Sequence, residues 1–188
     1  MNGLMKPSLA ELIGTFTLTF IGAGAGALAG ADGGGIVGVA LAHGFALTII
    51  VYTWGPVSGA HVNPAVTLGA LIAGKVDATK AITYWVAQLA GAAIAAYLLK
   101  YVLEGIADGL GETTGVLTDN GQFGKVIVVE AVLTFFLVAA VFGSALTARN
   151  GNAYGLAIGF VLIGDILCGG YLTGASMNTV GEHMHTAR

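Results

Sequence analysis

Ser58-Gly59-Ala60-His61-Val62-Asn63-Pro64-Ala65-Val66-Thr67 interrupts a strongly apolar chain with an asparagine followed by a proline. Proline in the first helical position gives up no useful hydrogen bond, and asparagine before it is a favoured cap, so the segment predicts a helix that starts at Pro64. The apolar stretch 64–74 is short. At about 1.5 Å per residue it covers only about half of a hydrocarbon layer about 30 Å thick, the length of a re-entrant half-helix. A second segment, Thr173-Gly174-Ala175-Ser176-Met177-Asn178, carries the asparagine but continues as Thr179-Val180.

Composition narrows the class. Of 188 residues, 56% are apolar and 9% charged, which points to an integral membrane protein rather than to one soluble core. The net charge of −3 offers no basic footprint for nucleic acid. The single cysteine, Cys168, can form neither an intrachain disulfide nor a cysteine metal cluster. Most of the 31 glycines lie inside apolar runs, where small residues let membrane helices approach closely. The N-terminal apolar run is too long for a signal-peptide core and is read as a span that stays.

Five segments are long and apolar enough to cross a bilayer, at roughly 9–29, 36–55, 81–103, 126–147 and 154–172. The stretch 104–124, with Glu104, Asp108, Glu112 and Asp119, reads as a long polar loop. Lys6, Lys75, Lys80 and Arg149 fall on the side opposite that loop, so the positive-inside rule places the N-terminus in the cytoplasm.

The chain also repeats. Leu41-Ala42-His43-Gly44-Phe45-Ala46-Leu47 and Leu156-Ala157-Ile158-Gly159-Phe160-Val161-Leu162 share five of seven residues at an offset of 115. The same offset carries Gly59, Ala60 and Asn63 onto Gly174, Ala175 and Asn178, while Glu11, Thr15 and Phe16 match Glu130, Thr134 and Phe135 at 119. Three spans precede the second copy, which makes the repeat inverted and places a site where the halves meet near the midplane. The first repeat covers about 8–103 and the second about 125–178, in a single membrane channel domain over 1–188. The tail 179–188 cannot hold both a half-helix and a span, so the second half-helix and sixth span are expected to be missing or aberrant.

The end of a half-helix inside the membrane presents unpaired N–H groups and a positive dipole end. Two such ends at the midplane repel cations, and their asparagines donate hydrogen bonds to a neutral molecule passing through. Glu11 and Glu130 are charges inside spans, where charge is costly. Their matched places favour carboxylates that accept hydrogen bonds from the loop backbone of their own half over proton-relay groups. Asp165 has no counterpart in the repeat; lining a vestibule and bonding loop backbone both remain open for it. His183 and His185 form an H-x-H pair in a polar tail, with too few further ligands to define a metal site.

The chain closely resembles the aquaporin, or major intrinsic protein, family. The likeness covers nearly all of 8–178 and rests on Ala10-Glu11 with Gly14-Thr15-Phe16, the Ser58–Thr67 segment, and Gly174–Asn178. It implies an all-α membrane fold of six spans and two half-helices, of which five spans and one half-helix are recognisable here. It further implies homotetramers in membrane lipid with one pore per subunit, passive passage of water or small neutral solutes, and neither cofactor nor catalytic residues. The family's pore asparagine motifs map to Asn63-Pro64-Ala65 and Asn178, and its narrow filter to His43, Ile166, Ala175 and Gly181. His43, Ile166 and Ala175 resemble the plant vacuolar-membrane branch and similar prokaryotic channels, so ammonia, glycerol and hydrogen peroxide join water as candidate solutes. Gly181 stands where many members have arginine, and nothing places Arg188 in the filter. Short loops and tails point to a prokaryotic inner membrane.

The leading expectation is a passive channel, with a truncated, non-conducting member of the family as the alternative. A proton-coupled carrier built on Glu11, Glu130, His43 and Asp165 leaves the Asn-Pro-Ala segment without a task. For an enzyme, no nucleophile, base and orienting group assemble.

Overall fold

The computed structural model describes residues 2–30, 34–107, 109–111, 114–145 and 153–177. Seven α-helices and no strands occur among them: α1 Asn2–Ala27, α2 Gly35–Ser58, α3 Pro64–Ile72, α4 Ala78–Val102, α5 Val116–Asp119, α6 Phe123–Ala140 and α7 Tyr154–Thr173. A π-helical turn, Val141–Ala145, extends α6. Five helices are long and apolar enough to cross a membrane: α1, α2, α4, α6 with its π-turn, and α7. The expected all-α architecture of five spans and one half-helix is therefore present. Asn178, Gly181, His183, His185 and Arg188, with the rest of the expected aberrant tail, lie outside the described residues.

Several boundaries differ from the sequence reading. α1 begins at Asn2 rather than after Pro7; the proline sits inside the helix and costs it one backbone bond without ending it. The half-helix stops at Ile72, closed by Ala73 N–H bonding to Gly69 O. The polar loop contains a helical turn, α5, which a four-residue run with no periodicity could not announce.

Helices α2 and α7 cross where the repeat equates them. A Cβ placed on Gly44 would lie 2.7 Å from Gly159 O, and one placed on Gly159 would lie 2.5 Å from Gly44 O. Only hydrogen at both positions allows two backbones to meet this closely, the use of small residues expected between membrane helices. Both helices then end alike, at Gly59 (φ 96°) and Gly174 (φ 90°), left-handed caps that suit glycine. The core gathers Leu47, Ile50 and Val51 of α2, Val62 and Val66 of the first loop and half-helix, Leu133 and Leu137 of α6, and Ile158, Leu162 and Ile166 of α7. Ile72, Ile127, Phe135 and Tyr97 point outward and are exposed, as befits surfaces solvated by lipid rather than water.

Candidate functional site: two re-entrant loops around a cavity

The loop after α2 is held by one carboxylate. Glu11, fully buried on α1, accepts at Oε1 from Ser58 Oγ (2.7 Å) and His61 N (2.9 Å), and at Oε2 from Val62 N (2.7 Å) and Gln88 Nε2 (2.8 Å). Ser58 Oγ also accepts from Ala60 N at 2.9 Å. To bring successive N–H groups onto one carboxylate the chain adopts left-handed φ at Ala60 (48°) and Val62 (40°). Both are non-glycine residues in a region that costs an L side chain about 1–2 kcal/mol, and charge-assisted hydrogen bonds are of the size that offsets it.

The second half repeats the hydroxyl and backbone part of this arrangement, without a counterpart to the Gln88 bond. Glu130 Oε1 accepts from Thr173 Oγ1 and from Ser176 N (3.2 Å), and Oε2 from Met177 N (2.8 Å). Thr173 Oγ1 accepts from Ala175 N at 3.2 Å, and the left-handed residues are Ala175 (48°) and Met177 (44°). Ser58 pairs with Thr173 at the offset of 115 already found, so both hydroxyls were visible to the sequence once that offset was known.

Asn63 joins the two loops. Its Oδ1 caps α3 by accepting from Ala65 N (2.7 Å) and Val66 N (3.4 Å), and its Nδ2 donates to Met177 O of the other loop at 2.7 Å. Among the described residues, that bond uses one of the two amide hydrogens of Nδ2. Helix α4 braces this half: Tyr84 Oη donates to Ser58 O (2.6 Å), Trp85 Nε1 to Pro64 O (3.2 Å), and Gln88 Nε2 also to Thr67 Oγ1 (3.0 Å). His61 Nδ1 lies 3.1 Å from that same hydroxyl, with its ring edge-on to Tyr84. The sequence reading missed Tyr84 and Gln88, polar residues within a mostly apolar span.

Between the loops lies a cavity of about 620 Å³, lined by His43, Asn63, Ile166 and Ala175 among mostly apolar neighbours. The structure thus brings together the three described filter candidates and the first of the two candidate pore asparagines. Gly59 to Val62 and Gly174 to Met177 line it as well, and Pro64 and Ala65 stand behind Asn63 in the first turn of α3. His43 Nδ1 lies 2.9 Å from Val39 O. Since a carbonyl only accepts, Nδ1 carries a proton, and in the neutral ring Nε2 is the acceptor. Asp165 is buried, does not line the cavity, and its Oδ2 has no hydrogen-bond partner among the described residues. No group of three or more histidine, cysteine or acidic residues able to hold a metal occurs among the described residues.

An all-helical membrane protein whose two halves each fold a loop back toward a shared cavity has the architecture of a transmembrane channel. The chain belongs to the major intrinsic protein family, whose sequence pattern matches residues 2–182. It is 39% identical over 186 residues to a probable aquaporin TIP1-1 of Oryza sativa subsp. japonica, covering 94% of this chain and 72% of that protein. With aquaporin TIP1-2 of Musa acuminata it shares 40% over 185 residues, 93% of this chain and 71% of the relative. Among solved structures it is similar to the aquaglyceroporin from Plasmodium falciparum, with a TM-score of 0.79 over 95% of this chain and 78% of that one. At 23% identity that likeness speaks for the fold alone. The expected family and fold class are borne out, and so is a channel rather than an enzyme.

Proposed function

We propose that the protein passes water and small neutral solutes, with ammonia, glycerol and hydrogen peroxide the candidates beyond water, through the cavity between its two loops. The observation that carries this reading is the paired use of Glu11 and Glu130. Each carboxylate engages the N–H groups of its loop on the side away from the cavity, while Gly59 to Val62 and Gly174 to Met177 form the cavity wall. The loop carbonyls then supply acceptors along the path and Asn63 Nδ2 a donor, a polar track set in an apolar wall. On this reading Asn63 and Asn178 are the pore asparagines, and His43, Ile166, Ala175 and Gly181 form the narrow filter. Glu11 and Glu130 are structural carboxylates.

The apolar character of Ile166 and Ala175 supports a passage open to solutes larger than water, since neither side chain offers a polar toll. The protein is a multi-pass integral membrane protein, for which we propose a single channel domain and homotetrameric assembly with one pore per subunit. The two aquaporins named above are plant proteins and give the prokaryotic inner membrane no support. Vesicle swelling under gradients of water, ammonia and glycerol, paired with conductance recordings in sodium and potassium, tests the reading. Solute passage without ion current is the expected result, and ion current or absence of all passage contradicts it.

A further inference from the structure

Gly22 lies on α1, buried, at the edge of the cavity opposite α2. A Cβ placed there would fall 2.2 Å from His43 Nε2, 2.4 Å from Cδ2 and 2.6 Å from Cε1. No carbon can occupy that point while the ring stays where it is. The imidazole is therefore seated in a notch that exists only because residue 22 has no side chain. Its other edge is tethered to Val39 O of its own helix at 2.9 Å, so the ring is held between α1 and α2 rather than standing free.

We propose that Gly22 is a positioning residue for permeation: by recessing the His43 ring into the α1 wall, it sets the width of the passage between His43, Ile166 and Ala175. The proposal rests on the channel reading above. The notch matters because of what would yield. The obstructing atoms are the far end of one side chain rather than backbone, so a methyl group at residue 22 would be accommodated by swinging the ring off α1. The cavity is the free space on that side. The substitution should thus be mild for the fold and severe for the passage, the reverse of an ordinary overpacked core.

Gly24, on the same helix, provides the comparison. A Cβ there meets only Leu99 Cδ2, at 3.2 Å, and the residue does not line the cavity.

The test is a double-mutant cycle between Gly22→Ala and His43→Ala in reconstituted vesicles, with Gly24→Ala alongside. The quantity read is permeability to the largest solute that the unaltered protein passes, relative to water. Gly22→Ala should lower it by about tenfold, because selectivity follows pore diameter. His43→Ala should raise it, the double variant should match His43→Ala alone, and Gly24→Ala should leave it unchanged. The same cycle read as thermal unfolding in detergent reports the notch independently of conduction: the cost of Gly22→Ala should disappear in the His43→Ala background. An unchanged permeability ratio in folded Gly22→Ala protein would overturn the proposal. So would an equal loss in both backgrounds, or a misfolded Gly22→Ala protein that His43→Ala does not rescue. Failure of the unaltered protein to pass any solute removes the channel reading and the proposed role with it, while the unfolding cycle still decides whether the ring and Gly22 are coupled.

Discussion

Glu11 shows how one side chain organises a re-entrant loop. Four donors converge on it, two from loop backbone, one from Ser58 and one from Gln88. Glutamine at this position keeps the size but turns an acceptor atom into a donor facing other donors. Because it leaves buried N–H groups unpaired, Glu11→Gln should cost about 3 kcal/mol or more, read as a lowered unfolding temperature in detergent. Glu130→Gln should cost less, since Glu130 is less buried and gathers three donors. Both carboxylates were legible as charges inside apolar spans, and Ser58 and Thr173 stood at matched places in the repeat. Tyr84 and Gln88 were not legible. A single polar residue in a span does not disclose which neighbour it faces, and only the packing of α4 on α1 and α3 brings them to the loop.

Among the elements, the half-helix α3 depends on Asn63 at one end. Asn63→Ala removes the cap of α3 and the bond that ties the first loop to Met177 O. The cap alone is worth about 1 kcal/mol, and the loss should appear as lower stability together with lower permeability. The crossing of α2 and α7 makes a sharper prediction. Gly159→Ala drives a methyl group to 2.0 Å from Thr48 Oγ1 and 2.5 Å from Gly44 O, and because backbone cannot step aside it should cost about 1–3 kcal/mol. Gly164→Ala on the same helix, with nothing within 4 Å, should be neutral within about 0.5 kcal/mol. Thermal unfolding of the two variants side by side checks this. The five spans and the half-helix were readable because length and apolarity in a membrane nearly determine a helix. Their ends were less so. The start of α1 before Pro7, the four-residue α5 and the π-turn at Val141–Ala145 depend on local bonding that leaves no periodic trace.

At the scale of the whole molecule, the inverted repeat makes two loops into one site, and the account stands or falls on passive conduction through it. A carrier driven by protons needs carboxylates free to take up and release them. Glu11 and Glu130 are instead each engaged by several donors of the loops they hold. The most direct measurement is stopped-flow swelling of vesicles reconstituted with the protein, at equal pH on both sides and over a range of temperatures. The account predicts water flux well above that of empty vesicles, with a low activation energy and no response to an imposed proton gradient. Flux that requires the gradient, or that does not exceed the bare bilayer, would contradict it.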